Sequence, residues 1–390
     1  MVSPKKNTMN HIYFDYAAAT PLDAGVRAHM EPYFSERFFN PSATYLRARA
    51  VAQDLQKARE TIAQSLGVRP VELIFTAGGS EANNLAIHGI MRMFPDKQIV
   101  FGATEHASVV EPASAYNHAV IPVHSDGRIN VEALQKAISD DTVLVSIMLA
   151  NNEIGTINPL RKVADIIKAV RAQRARAGNA LPLYFHSDVC QAVLYLDTHP
   201  SRLGVDLMTF NGGKIYGPKQ SGVLYVKTGI ELHPIIQGGG QERNVRSGTE
   251  NVPNCIGFSY AFEKAVRKHE AHHTQLRALQ NEFLQGINDQ IPEAIVNGSR
   301  KYRLPNNVHI TIPGIDNERV MMELDERGIE CAVGSACSAS NDEPSHVLKA
   351  IGLSDQDAQS SLRFSMGLET TSADVATVVA ELRNILDYTT

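Results

Sequence analysis

The chain has 390 residues, 43% of them hydrophobic and 20% charged, with a net charge of −5 and a pI near 6.3. That length exceeds one ordinary core and suits a large domain plus a smaller one. The mild negative charge creates no global field for nucleic acid, and no apolar run approaches the ~20 residues of a membrane helix.

Residues 1–10 are polar and do not read as a secretory signal. Helical spacing covers 46–66, and a strand is predicted over 72–76. A helix follows over 81–92, then strands over 98–103, 119–123 and 143–149. A helix over 161–177 leads to strands over 183–188, 206–210 and 222–226. Strand, crossover helix, strand predicts an α/β fold with a mostly parallel seven-stranded sheet flanked by helices. A glycine-rich stretch, 237–248, comes next. A long helix over 256–290 leads out to a smaller α+β C-terminal domain. That domain has strands over 307–312, 330–333 and 361–365 and a last helix. The expected division is 11–260 and 261–390, with the first ~20 residues packing beside the small domain. Four cysteines, Cys190, Cys255, Cys331 and Cys337, form no C-x-x-C pair and are too few for a disulfide framework. A reducing cytoplasm is expected. No metal, no membrane and no direct nucleic-acid contact are expected.

Three motifs carry chemistry. In Asn211-Gly212-Gly213-Lys214-Ile215-Tyr216-Gly217-Pro218 a lysine follows a strand among glycines. It is either a surface lysine or the amine that forms a Schiff base with an aldehyde cofactor. Thr76-Ala77-Gly78-Gly79-Ser80-Glu81 ends a strand and opens a helix, where unpaired N–H groups and the helix dipole favour a phosphate. Ser80 can donate a hydroxyl there or simply cap the helix. Asp188, in Phe185-His186-Ser187-Asp188-Val189-Cys190-Gln191, stands at a strand's carboxyl end. It can pair with a protonated pyridine nitrogen or cap a helix. Phosphate cradle, ring-nitrogen acid and lysine, in that order, point to pyridoxal 5′-phosphate (PLP).

With these residues in view, the chain resembles the class V branch of fold-type I PLP-dependent enzymes, and within it cysteine desulfurases of the NifS/IscS type. The resemblance runs from Asp15-Tyr16-Ala17-Ala18 to Arg363-Phe364-Ser365-Met366-Gly367. It includes Glu105-His106, Asn151-Asn152-Glu153-Ile154-Gly155, Arg246-Ser247-Gly248-Thr249 and Gly334-Ser335-Ala336-Cys337. It implies that Lys214 carries PLP, that His106 stacks on the ring and assists proton transfer, and that Gly79 and Ser80 hold the phosphate. Asn152 and Gln191 would lie by the ring oxygen. Thr249 would reach the phosphate of a partner subunit, making a homodimer. Arg363 would grip the substrate carboxylate, and Asn40 would line the substrate end. Two positions depart from the pattern. The family has Ser-Gly-His where Asn211-Gly212-Gly213 stands, so Asn211 offers its amide and Gly213 only backbone. Cys190 takes the place of a small or hydroxyl residue and reads as packing.

The same resemblance implies the reaction: L-cysteine to L-alanine, with sulfur held as a persulfide on Cys337. Small and polar residues surround Cys337, which suits a segment that must carry sulfur away. A protein sulfur acceptor, in iron–sulfur cluster assembly or nucleic-acid thiolation, is the implied partner. Alternatives are a selenocysteine lyase, another class V PLP enzyme such as an aminotransferase, and a catalytically silent scaffold.

Overall fold

The computed structural model describes residues 11–333 and 344–387. Its strands are β1 Ile12–Tyr13, β2 Leu73–Thr76, β3 Gln98–Gly102, β4 Asn117–Ile121, β5 Thr142–Ser146 and β6 Tyr184–Asp188. They continue as β7 Leu207–Asn211, β8 Gly222–Val226, β9 Ile295–Val296, β10 Asn307–Thr311, β11 Ile329–Glu330 and β12 Ser361–Ser365.

The large sheet has the order β2-β8-β7-β6-β5-β3-β4. Strand β8 runs antiparallel to both neighbours, and the other pairings are parallel. Strands β2 to β7 therefore all point one way, as a mostly parallel seven-stranded sheet requires. β5 and β8 are buried along their whole length, which is why they read as continuous apolar runs. β4 lies two residues earlier than its apolar pattern suggests. Its parallel register sets Asn117 against Gln98, and at this exposed edge polar residues continue the strand.

The Leu46–Leu66 helix has the predicted limits and ends on Gly67 in the left-handed region, at φ 64°. The Gly79–Met91 helix starts two residues before its prediction, because Gly78 at φ 121° is its N-cap. That backbone suits only glycine, and a Cβ on Gly222 would come within 2.8 Å of it. The Val252–Gln290 helix starts four residues early, with Asn251 accepting from the Asn254 N–H. At 39 residues it is ~58 Å long and runs across position 260 without a break. Near one end Phe262 packs by Phe210 and stacks on Phe258; near the other Phe283 packs by Phe14 and Phe364.

The second sheet is antiparallel, in the order β12-β10-β9. The start of the chain joins it. β1 pairs with β11, and Asp15 bridges Ser365. β11 ends at Glu330, not 333, because the chain then turns to pair Ala332 with Arg363. Cys331 thus lies outside the strand, and burial pushes its thiol up to about 12.

The glycine-rich stretch turns through Glu242, Arg243 and Asn244 at φ 45°, 59° and 64°. A buried contact holds this left-handed run. Arg59 donates to both Glu242 carboxylate oxygens, at 2.8 and 2.6 Å, and lies 4.6 Å from the Phe75 ring centroid. Arg59→Met would leave the Glu242 carboxylate buried without its cation. The expected loss is about 3–5 kcal/mol, read as a lower urea midpoint. An unchanged midpoint would refute the importance of this pair.

Candidate active site

The carboxyl ends of β2, β3, β5, β6 and β7 meet at one edge of the sheet. A cavity of about 140 Å³ opens there, lined by Gly79, Ser80, His106, Asn152, Asp188, Gln191, Asn211, Lys214 and Arg363. Nine of the residues singled out in the sequence therefore surround one space. Larger hollows exist. One of about 560 Å³ adjoins the site and shares Ser80, His106 and Ser108 with it. Another, of about 340 Å³, contains Asp206, which pairs with Arg171 and Lys227. Only the smallest of the three combines a lysine, a carboxylate, an imidazole and a helix N-terminus.

Lys214 closes a short 3-10 turn after β7. Its Nζ donates to the carbonyls of Ala17 at 2.8 Å and Ala18 at 2.6 Å. The amine is thus presented to the cavity rather than to a surface loop. Two residues on, Tyr216 adopts φ 61°, and its hydroxyl donates to Glu369 at 3.0 Å.

Asp188 is buried at the end of β6. One oxygen accepts from Asn83 Nδ2 at 2.7 Å and the other from the Cys190 N–H at 2.9 Å. The aspartate thus turns the chain locally and does not cap a helix. Both oxygens take neutral donors, which fix the carboxylate without cancelling its charge. His106 is the N-cap of the Ala107–Ser114 helix, and its Nδ1 lies 2.8 Å from Ser108 Oγ and 3.1 Å from the Ser108 N–H. This cap fixes the imidazole where it lines the cavity.

Gly79 and Ser80 are the first two residues of their helix. Ser80 is therefore not the cap. Asn211 Oδ1 accepts the Gly213 N–H at 2.9 Å, while Asn211 Nδ2 faces Gly79. The Gly213 carbonyl accepts from Thr20. Gly213 therefore stands behind the lining, and Asn211 presents the donor. Cys190 is buried in the cavity wall. A Cβ on Gly79 would lie 2.8 Å from its Sγ, and burial pushes the thiol well up. It packs as a small apolar group.

Arg363 is buried in β12 and enters the cavity from the second sheet. Gln191 Nε2 donates to the Ala17 carbonyl at 3.0 Å. Asn40 and Thr249 are exposed and outside this chain's cavity. Cys337 lies outside the described residues. Sequence reasoning assigned no role to Asn83, Ser108, Asp15 or the Ala17 and Ala18 carbonyls. Asn83 stands one turn after Gly79, a polar residue on an otherwise apolar face, and that was its only signal. Backbone carbonyls leave none.

The donor set fits PLP. A helix N-terminus with a hydroxyl beside it suits a phosphate, a buried carboxylate suits a pyridinium, and a lysine amine suits an aldehyde. Residues 12–378 match the family described as Aminotransferase class-V. The chain is 38% identical to the cysteine desulfurase IscS of Dictyoglomus turgidum, over 96% of this chain and 94% of that protein. A solved NifS-like protein superposes with a TM-score of 0.88 at 30% identity, covering 97% of this chain and all of the other. The structure described as SspA in complex with cysteine superposes at 0.78 with 33% identity, covering 91% of this chain and 98% of its own.

Beneath Asp188 on β6, His186 is fully buried between Ser146 Oγ at 2.8 Å and Thr209 Oγ1 at 3.0 Å. Burial lowers its pKa from 6.5 to about 4. The folded value lies below the unfolded one, so this stability is present above pH 6.5 and lost as pH falls towards 4. The expected loss is about 3 kcal/mol. In His186→Gln, unfolding free energy should fall less between pH 7 and 4, by about that amount. An identical acid profile would count against this assignment.

Proposed function

The chain belongs to the class-V aminotransferase family, and from that premise we propose which residues carry out its reaction. The protein is a PLP-dependent cysteine desulfurase, an enzyme of sulfur transfer. One observation carries the assignment of roles: Lys214, Asp188, His106 and Arg363 converge on a single cavity.

Bound PLP supplies an electron sink that acidifies the substrate Cα and loosens the bond from Cβ to sulfur. Lys214 would hold it by its aldehyde, Asp188 by its ring nitrogen, and Gly79, Ser80 and Asn211 by its phosphate. Asn152 and Gln191 would lie by the ring oxygen. Arg363 orients L-cysteine through its carboxylate, a fork-shaped task that a guanidinium meets with two N–H groups. Lys214 Nζ accepts the Cα proton. The Ala17 and Ala18 carbonyls hold that amine in place. His106, fixed by Ser108, serves as proton donor or acceptor beside it.

The Cys337 thiolate attacks the substrate sulfur. A new S–S bond forms, the C–S bond breaks, and its electron pair stays with carbon. Protonation of that carbon, and return of the proton from Lys214 Nζ to Cα, gives L-alanine. The ends of the 334–343 segment support this role. Ala332 pairs with Arg363, Ser345 Oγ donates to Glu153 at 2.5 Å, and His346 Nε2 lies 3.0 Å from the Glu105 carbonyl. The persulfide then passes to a protein acceptor.

In this reading 11–260 is the cofactor domain and 261–390 the small domain. The enzyme is a homodimer, in which Thr249 serves the neighbouring site and Asn40 lines the substrate end of a site. Their exposure supports it, as do the exposed Phe34, Phe38 and Tyr45 near Asn40. The reducing cytoplasm remains the setting, supported by the free thiols of Cys190, Cys255 and Cys331. Among the described residues no helix is long and apolar enough to cross a membrane.

With L-cysteine and a thiol reductant, the wild type should release alanine and sulfide in equal amounts. Cys337→Ser should keep the visible absorption of bound cofactor and lose sulfide release by about a thousandfold or more. Wild-type turnover in this variant would remove Cys337 from the mechanism. Lys214→Ala should lose the absorption of lysine-bound cofactor; a retained band would displace Lys214 from its role.

A further inference from the structure

The arginine of the cavity has an acidic companion. Arg363 is only 1% exposed. Its Nη2 donates to Asp15 Oδ1 at 2.6 Å, and its Nη1 to the Asn152 carbonyl at 3.2 Å. Arg363 lines the cavity and Asp15 does not, so the carboxylate meets the guanidinium from behind. Asp15 is itself pinned. Its carbonyl accepts the Tyr13 hydroxyl at 2.9 Å and the Ala18 N–H at 3.0 Å. The Phe14 carbonyl accepts the Ser365 N–H at 2.6 Å.

A guanidinium carries five N–H groups, two on each Nη. One on each Nη is engaged, by Asp15 and by the Asn152 carbonyl, so one on each remains for an incoming carboxylate. An incoming carboxylate therefore finds two aligned donors on a cation whose charge is already shared. We propose that Asp15 is a positioning residue that aims the Arg363 fork and weakens its hold on carboxylates. The proposal rests on Arg363 as the carboxylate ligand.

The chemistry gives this a purpose. L-cysteine and L-alanine bear the same α-carboxylate. A tight grip on it would stabilise substrate and product alike, lowering KM without raising kcat and slowing product release. Without Asp15 the buried guanidinium would lack its counterion and take one from any carboxylate that entered.

Asp15→Asn tests this, since its Oδ1 still accepts from Nη2 while the charge is gone. Asp15→Ser is measured in parallel, so that misfolding of one variant leaves the other to decide. Asp15→Glu is the conservative rescue. The probe is propionate, titrated calorimetrically into the holoenzyme. It has the substrate's carboxylate and carbon frame, but no amine to react with the cofactor and no thiol.

Asp15→Asn and Asp15→Ser should bind propionate about tenfold more tightly than wild type, as expected when a negative charge close to a bound anion is removed. Their KM for L-cysteine should fall, kcat should fall with it, and L-alanine should inhibit more strongly. Asp15→Glu should return these values towards wild type. A merely structural role would weaken propionate binding and raise KM. Weaker or unchanged binding in the Asp15 variants, with binding lost in Arg363→Met, overturns the proposal and leaves the role of Arg363 standing. Full propionate affinity in Arg363→Met overturns the role of Arg363, and this proposal with it.

Discussion

Parallel strands share a direction, so their carboxyl ends share an edge. In this protein β2 to β7 obey that rule, and β8 alone runs the other way. The consequence is geometric. The segments after β2, β3, β5, β6 and β7 must all emerge together, although more than 130 residues separate Gly79 from Lys214 in the chain. A helix N-terminus, an imidazole, a carboxylate and an amine are gathered without any local contact between them. Loops at this edge of an α/β sheet are where ligands bind, for this same reason.

One short segment joins that edge to the rest of the molecule. Residues 12–20 pair with β11 through β1 and bridge Ser365 of β12 through Asp15, and they meet the Gly213 carbonyl through Thr20 and the Lys214 amine through the Ala17 and Ala18 carbonyls. Lys214, Gln191 and Arg363 all donate to this segment. It therefore sets the distance between the amine and the arginine. Tyr16 and Tyr216 add a second tie, since both hydroxyls donate to Glu369. The long Val252–Gln290 helix reaches both sheets as well, with Phe262 by Phe210 near one end and Phe283 by Phe14 and Phe364 near the other.

The ground beneath the cavity is low in dielectric, and its ionisable groups show it. Glu105 is fully buried, with one oxygen accepting the Met148 N–H at 2.7 Å, and burial pushes its carboxyl well above the usual range. His186 is held neutral, and the Cys190 thiol is pushed up. Asp188 in this layer accepts from two neutral donors, Asn83 Nδ2 and the Cys190 N–H. Burial disfavours the charged forms of Glu105, His186 and Cys190, whereas Asp188 reaches the cavity lining with both oxygens held by neutral donors. A carboxyl group is thereby presented where a pyridinium would need it.

The motifs at Gly79, Asp188 and Lys214 were legible in the sequence because each combines a residue type with a local backbone demand. Gly78 at φ 121° just before Gly79, an acid ending a strand and a lysine among glycines are all features of neighbours in the chain. The sheet was legible too, since strands buried on both faces are apolar throughout. The edge strand β4 was shifted because exposure removes that signal. Nothing local marked Asp15 as the companion of Arg363, 348 residues away. The same holds for the Ala17 and Ala18 carbonyls, since every residue has one. Gly213 lost its place in the cavity wall because its backbone groups are engaged by Asn211 and Thr20. Local chemistry determined which groups this protein can use. Only the tertiary structure decided which of them face one another, because hydrogen-bond partners far apart in the chain are chosen by packing and not by sequence neighbours.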